Sequence, residues 1–532
     1  SFIMKNIIDE INKNNTTSGN NCRFKIILPI KIDDSYDPNS KEAGLFPDRL
    51  IAKVEEFGKK GVNEIHKEFL VIIDNANDKI NKDYIKEFKT IVEESINQYS
   101  LAIELKEDNN PLEVIYPLLD SMDQQSSFNT EIGVNNIRKY IETVNTTQLF
   151  TGIFGEKYRF RSVPEIATYG VSEKGKRNIY INFFEKLNED EKDLYKSLNE
   201  ILNSNDNPSE LKNYHKYMAV VQADGDDLGR LFKVMFEYGG IEAIKTLSGF
   251  LMRFGMLAAS EIRDYGGVPI YLGGDDILFF APLKTSEEEG PNNIFELITS
   301  LDNIFKKCIC ECQLVLESID WWNKKAQTEY KIATISTPSL SFGCAISYYK
   351  YPLKEALISA RTLLFESAKQ IPGKNALSYR LLKHSGHYIG TTLCKNWESW
   401  DSFKYLLNNQ SLNDEFLSSV QYKLEPLRPL LKRILCGRNS GLRNATLREI
   451  IIAIIPEESL RENFLINLSE KFFNEKAAHD KSRKYIEYVL SLLLQIYRDM
   501  EDNYGNIQST ADMAIDSLYA YLRTMQFYIS KY

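Results

Sequence analysis

The chain is predicted to be an α+β protein, on three observations. Between residues 216 and 385, short apolar runs of strand type alternate with longer stretches of helical periodicity. Two of those runs are separated by only four residues, all Gly or Asp, which marks a β-hairpin. From residue 386 onward strand signals stop and strong helical periodicity continues to the end.

Taken in order, residues 218–223 form an apolar strand, and residues 241–263 carry helical periodicity closed by Gly266-Gly267. Residues 268–272 and 277–280 are strands flanking Gly273-Gly274-Asp275-Asp276. Residues 293–316 read as a second amphipathic helix and 339–347 as a strand. Residues 353–369 read as a helix whose apolar positions (Leu353, Ala356, Leu357, Ala360, Leu363, Leu364, Ala368) follow 3.6 spacing. The order βαββαβ plus a helix is the ferredoxin-like split βαβ arrangement, an antiparallel sheet with helices on one face.

The flanks are less regular. Residues 1–130 combine a helical opening, a strand at 24–28 and amphipathic helices at 48–57 and 60–78. Ser1-Phe2-Ile3-Met4 reads as the middle of a helix, so the natural N-terminus is expected to precede Ser1. Residues 131–215 are irregular and polar, and the Asn/Ser/Pro stretch at 203–209 marks a boundary. Residues 386–532 read as a helical domain, with strong helices at 484–500 and 511–529.

A length of 532 residues exceeds what one core serves, so several domains are expected. Hydrophobic content of 43% with 26% charged residues fits a globular protein, and apolar runs such as 277–280 are far too short to span a bilayer. No signal peptide is visible, and the location expected is cytoplasmic, away from membranes. A net charge of −9 argues against a protein that binds nucleic acid alone through a basic surface; any such contact is expected to be local or shared with partner subunits. Arg428, Lys432, Arg433, Arg438, Arg443 and Arg448 form the densest basic stretch, read first as a solvated helix face and otherwise as a contact for RNA backbone or an acidic partner. The seven cysteines include no C-x-x-C pair, which fits a reducing compartment; Cys308, Cys310 and Cys312 are read as core thiols rather than metal ligands.

The chemistry concentrates at two turns. The first strand ends in Ala223-Asp224-Gly225-Asp226-Asp227, and the hairpin carries Gly273-Gly274-Asp275-Asp276. In the split βαβ topology these strands are neighbours, so four or five carboxylates are expected to meet at one sheet edge without any nearby Lys or Arg to neutralise them. Such crowding is unfavourable unless cations enter it, and hard oxygen ligands suit Mg²⁺ or Mn²⁺. Two such ions can activate a hydroxyl and stabilise a leaving pyrophosphate. Gly273 and Gly274 are expected to allow a tight turn of positive φ and close approach of a triphosphate. Lys369 and Lys374, after the last helix, are placed to offset triphosphate charge. The bland alternatives are a solvated acidic turn and lysines that favour a helix C-terminus.

At these residues the chain resembles the nucleotidyl-cyclase palm superfamily, which includes the GGDEF-type cyclases. It is more closely similar to the large palm-containing subunit, of the Cmr type with a GGDD motif, of type III CRISPR effector complexes. Gly273-Gly274-Asp275-Asp276 and the acidic turn at 224–227 carry that likeness, with Ser341-Phe342-Gly343-Cys344-Ala345-Ile346, Ala368-Lys369 and Gly373-Lys374-Asn375. Leu45-Phe46-Pro47-Asp48-Arg49-Leu50-Ile51-Ala52 resembles the Leu-Pro-Asn-Arg-Phe segment of the family's first palm.

The resemblance implies two ferredoxin-like palm domains, a degenerate one in 1–130 and a catalytic one in 216–385, joined by a linker or helical region at 131–215 and followed by the helical domain. It implies a subunit of a type III-B complex with other protein subunits, guide (crRNA) and target RNA, which on target binding converts ATP into a cyclic or linear oligoadenylate messenger. Some relatives join ATP to S-adenosylmethionine instead, and a catalytically silent scaffold or a stand-alone cyclase are further alternatives. Carried over by motif, Asp224, Asp275 and Asp276 are catalytic and hold two metal ions, with Asp227 as a further ligand. Gly225, Gly273, Gly274, Lys369 and Lys374 line the nucleotide. Two departures follow. No N-terminal HD nuclease domain is seen, His479-Asp480 being a coincidental pair, so nuclease activity is not expected. Residues 61–215 contain no cysteine, so the zinc site of relatives is not expected either.

Overall fold

A computed structural model of the chain describes residues 2–16, 22–29, 49–56, 60–83, 99–105, 110–124, 163–167, 213–285, 290–328, 333–383, 386–408, 417–436, 479–504 and 507–529, with residues 449, 457 and 463 singly. The boundary read at 203–209, and most of 131–215, lie outside the described residues, as do 45–48 of the first-palm segment.

In the N-terminal part, helix α1 (Phe2–Thr16) precedes strands β1 (Arg23–Leu28) and β2 (Ile51–Glu56), which pair antiparallel. Helix α2 (Val62–Asp83) packs with α1 over this hairpin through Ile7, Ile11, Phe24, Ile72 and Ala76. β2 corrects the helix expected at 48–57. Its apolar residues at 50, 51 and 54 fit helical spacing, yet the segment pairs with β1 in register and so lies extended. Among the described residues the first unit therefore shows a two-stranded sheet with helices, and not a complete βαββαβ order. Helix α3 (Pro111–Gln124) places Leu112 with Ile27, Leu28 and Ile51 against Ile244 of the second unit, and Lys25 reaches Glu242 at 3.4 Å. Helix α4 is the short segment Val163–Ala167.

The second unit is built on strands β3 (Tyr217–Gly225), β4 (Val268–Gly273), β5 (Asp276–Pro282), β6 (Leu340–Tyr348), β7 (Ala376–Leu382) and β8 (Tyr388–Cys394). They form one six-stranded sheet in the order β4-β5-β3-β6-β7-β8. Its first four strands reproduce the ferredoxin-like order: β3 lies antiparallel between β5 and β6. β7 joins β6 in parallel and β8 returns antiparallel on β7. Helix α5 (Leu228–Asp264) links β3 to β4, α6 (Ile294–Glu311) and α7 (Gln313–Thr328) link β5 to β6, and α8 (Leu353–Glu366) follows β6.

Strand pleat sorts the core into two faces. Ala219, Val221 and Ala223 of β3, with Ile277, Phe279 and Ala281 of β5, pack in one core with α5 and α6. Met218 and Val220 face the other way, onto Ala356, Ala360 and Leu363 of α8 and Ile166 of α4. Helices thus cover both faces, where one face was expected. The two helices of the βαββαβ unit do share a face, and it is α8 that seals the second. Gly343 of β6 makes that packing close: a Cβ there would lie 2.1 Å from the Ala360 carbonyl oxygen.

Three other expectations are corrected. α5 begins at Leu228, before the expected 241, and Gly240 (φ 63°, ψ −152°) kinks it where the run from 241 starts. The helix read over 293–316 is two helices broken at Cys312 (φ −86°, ψ 89°). Asn293 caps α6 by accepting from the backbone N–H groups of Phe295 and Glu296. Finally, strands do not stop at 385, because β8 lies at Tyr388–Cys394. Helices α9 (Glu398–Asn408), α10 (Leu417–Cys436), α11 (His479–Tyr504) and α12 (Ile507–Ile529) follow, and Trp400, Phe403, Leu431, Tyr497 and Tyr521 belong to the same core as the sheet. The basic stretch is part of this assembly: Arg428 pairs with Asp512 and Asp516 of α12 and Lys432 with Asp512, while 438, 443 and 448 lie outside the described residues. Cys308 and Cys312 are buried free thiols, and Cys310 is exposed.

Candidate active site

The two acidic turns sit side by side. β3 pairs with β5 in a register that runs from Met218 opposite Pro282 to Ala223 opposite Ile277. One step further sets Asp224 opposite Asp276, both on the sheet face that carries Val220 and Leu278. Asp275 occupies the hairpin turn between Gly273 and Asp276, which are register partners. Gly274, at φ 83°, supplies the positive φ of a two-residue turn with glycine first. Gly273 plays another part than expected. Its φ is not positive, and its bareness leaves room for the Tyr271 hydroxyl, which a Cβ would meet at 2.0 Å.

Gly225 is where the two turns touch. A Cβ there would lie 2.3 Å from Leu228 Cδ1, the end of a side chain, and 2.7 Å from Asp275 Oδ2 and 2.9 Å from Asp275 Cβ. Gly225→Ala is therefore expected to leave the sheet folded but push Asp275 aside, lowering turnover about tenfold or more. Wild-type turnover in a folded Gly225→Ala protein would contradict that role.

The carboxylates are partly neutralised, contrary to the expectation from sequence neighbours. Lys369 stands in a 3₁₀ turn (Ala368–Gln370) just beyond α8, not inside the helix as read. Its ammonium pairs with the Asp224 carboxylate, donates to the Gly225 carbonyl at 2.8 Å and lies 3.7 Å from Asp226. Lys374 pairs with Asp227 at 2.8 Å. Asp227 precedes the first turn of α5 in the left-handed region (φ 59°), and its side chain makes no cap to that helix. Burial, with the charge of Asp224 beside it, raises the Asp275 carboxyl from 3.8 to about 6, while Lys369 and backbone N–H groups oppose the rise.

Among the described residues no three His, Cys, Asp or Glu side chains are gathered closely enough to hold a metal ion as they stand. The donor set nevertheless suits a hard divalent cation. The Asp224 carboxylate and the Gly225 carbonyl already share one cation, the Lys369 ammonium. Asp275 carries a carboxyl whose charge lacks sufficient compensation. A cation entering between them meets only oxygen ligands, the chemistry of Mg²⁺ or Mn²⁺.

Asp226 was not singled out from the sequence, and it is the best-anchored residue of the site. It is 3% exposed. Its carboxylate accepts from the Ser339 hydroxyl at 2.7 Å, the Ser341 hydroxyl at 2.8 and 2.9 Å and the Asn375 N–H at 3.0 Å. Its partners lie more than a hundred residues downstream, so nothing local distinguishes it from its acidic neighbours.

The class of protein is thus a ferredoxin-like palm, with carboxylates at the ends of its first strand and central hairpin and lysines after its last helix. Residues 217–378 match the family described as the second palm domain of Cas10/Cmr2, and this part of the chain is a palm of that family. The CRISPR system Cmr subunit Cmr2 of Pyrococcus furiosus is 27% identical over 223 residues, covering 38% of this chain and 22% of that protein. The chain thus matches about a fifth of that relative's length. Among solved structures, the Csm1–Csm4 cassette in complex with cA4 is similar over 52% of this chain and 36% of its own, at 15% identity and a TM-score of 0.24. The diguanylate cyclase SiaD of Pseudomonas aeruginosa, in complex with its activator SiaC, is similar over 50% of this chain and 84% of its own, at 12% identity and a TM-score of 0.18.

Proposed function

We propose that this chain is the large subunit of a type III (III-B) RNA-guided antiviral complex and that, on target RNA binding, its second palm joins ATP molecules into a cyclic or linear oligoadenylate messenger. The observation that carries this reading is the convergence of Asp224, Asp276 and Asp275 at one sheet edge, with Lys369 on Asp224 and Gly225. Asp224, Asp275 and Asp276 would hold two divalent ions, with the Gly225 carbonyl adding a neutral oxygen and Asp227 at the rim. When bound, such ions make a ribose hydroxyl a better nucleophile and stabilise the charge of the departing pyrophosphate.

The protein's own residues do the rest. Lys369 and Lys374, which pair with Asp224 and Asp227 here, would present their ammonium groups to triphosphate oxygens and offset the charge there. The first turn of α5 follows Asp227 directly; the Leu231 N–H donates to the Asp227 carbonyl, while the N–H groups of Leu228, Gly229 and Arg230 precede the first helical acceptor and can donate to phosphate oxygens. Gly274, without a side chain, lets the triphosphate approach the turn, and nothing lies within 4 Å of where its Cβ would be. Crowding of the carboxylates is the cost of an arrangement complementary to cations and developing charge. The family match supports membership of a complex with other subunits; guide RNA, target RNA and a cytoplasmic location are further parts of this proposal. Among the described residues no helix is long and apolar enough to cross a membrane.

The test is the assembled complex with labelled ATP, Mg²⁺ or Mn²⁺ and target RNA, with and without S-adenosylmethionine, beside an Asp275→Ala/Asp276→Ala control. Oligoadenylate from ATP alone, absent in the control, is the expected result. Product only with S-adenosylmethionine changes the acceptor and keeps the palm chemistry. No product while RNA binds normally favours a silent scaffold.

A further inference from the structure

Lys374 sits in a turn that the backbone resists. Gly373, Lys374 and Asn375 all have positive φ, at 81°, 52° and 51°. Left-handed backbone suits glycine and is tolerated by asparagine, but it is costly for lysine, and consecutive residues of this kind persist only where their surroundings hold them.

The holding is done at Asn375, 6% exposed, through every polar group it has. Its N–H donates to Asp226 at 3.0 Å and its carbonyl accepts from the Lys395 N–H at 2.8 Å. Its side-chain amide donates to Asn396 at 2.6 Å and its side-chain oxygen accepts from the Lys395 ammonium at 2.7 Å. The Lys395 side chain is itself 2% exposed and gives its other two protons to Asp302 at 2.7 Å and the Leu340 carbonyl at 2.6 Å. The network therefore ties the carboxylate turn after β3, the start of β6, the end of β8 and helix α6 to one residue. Lys374 is the residue immediately before Asn375, and its ammonium is held on Asp227 at the rim of the acidic cluster.

We infer that Asn375, clamped between Asp226 and the buried Lys395, is a positioning residue that sets Lys374 for the triphosphate. This inference rests on the palm reading above. Asn375 touches no reacting group in it; it acts by denying the 373–375 turn the freedom to relax. Asp226 then has a task distinct from that of Asp224 and Asp227, locking the carboxylate turn to the lysine turn.

The test compares Asn375→Gly, Lys395→Met and Lys374→Ala in the assembled complex, reading KM and kcat for ATP. Glycine accepts the φ of Asn375, so Asn375→Gly removes the side-chain clamp without adding strain and remains decisive should Lys395→Met not assemble. Each single change is expected to raise KM about tenfold and to change kcat by less than about threefold. Combined with Lys374→Ala, Asn375→Gly should add nothing, because both remove the same contact. A wild-type KM in Asn375→Gly, or losses that multiply with those of Lys374→Ala, would overturn the inference while an active wild type left the palm reading standing. A wild-type complex that neither binds nor turns over labelled ATP would remove the palm reading, and this one with it.

Discussion

Asp275→Asn is expected to abolish nucleotide formation, by about a thousandfold or more, and at the same time to stabilise the protein in metal-free buffer. The two effects share one cause. Burial and the neighbouring Asp224 hold the Asp275 carboxyl at about 6, above its ordinary 3.8. Between those values the folded protein keeps a proton that the unfolded chain has released, so stability falls as pH rises through this window and stays lower above about 6. Asparagine carries no charge and escapes that loss. The variant should match the wild type near pH 4 and unfold higher above pH 6; a gain of about 1 kcal/mol corresponds to roughly 2–4 °C for a unit of this size. Melting both proteins from pH 4 to pH 8 checks the sign. Mn²⁺ should close the gap by raising the wild type alone. An Asp275→Asn protein that melts lower at pH 8, or that still makes product, contradicts the role given to this carboxylate.

The largest stability effect is expected at Gly343→Ala. A Cβ there meets the Ala360 carbonyl oxygen at 2.1 Å and the Leu364 nitrogen at 2.5 Å, both backbone atoms of α8. Backbone in a helix cannot turn aside as a side chain does, so the whole of α8 must move off the sheet. That opens the layer of Met218, Val220, Ala345, Ala356 and Ala360 and displaces the Lys369 turn that follows. A loss of about 3 kcal/mol or more is expected, read as a lower urea midpoint, with activity falling in step. A variant with an unchanged midpoint would show that α8 is not packed against β6 as described.

Much of this palm is legible in the chain because its signals are local. The apolar runs ending at Asp224 and starting after Asp276 announce strands, and the glycines between 273 and 276 announce their turn. The ferredoxin-like order then brings the acidic ends together without any knowledge of coordinates. What escapes is what long-range packing decides. β7 and β8 are mixed in polarity, and Gly390 interrupts the second, because a Cβ there would meet the Tyr379 carbonyl oxygen at 2.1 Å. β2 carries helix-like spacing and becomes a strand only by pairing with β1. Asp226, Lys395 and Asp302 read as ordinary charges, and only the fold shows Asp226 buried on Ser339, Ser341 and Asn375 and the Lys395 side chain buried on Asp302. Even the lysines illustrate the limit: Lys369 and Lys374 are far from the acidic turns in sequence yet pair with them in space.

The continuity of the core across residue 386 determines what can be cut from the chain. Tyr379 of β7 meets Phe295 and Phe403 ring to ring, and its hydroxyl shares a 3.0 Å hydrogen bond with Thr524 of α12. The Tyr528 hydroxyl of the same helix donates to the Leu283 carbonyl beside β5. A fragment ending at residue 385 keeps every carboxylate and both lysines, yet loses β8 and the helix that roofs the sheet. It would present an open strand edge beside a bare aromatic face, the ingredients of self-association. A palm excised for solution work should therefore run through α12, and insolubility of the shorter piece would say nothing about the chemistry of its carboxylates.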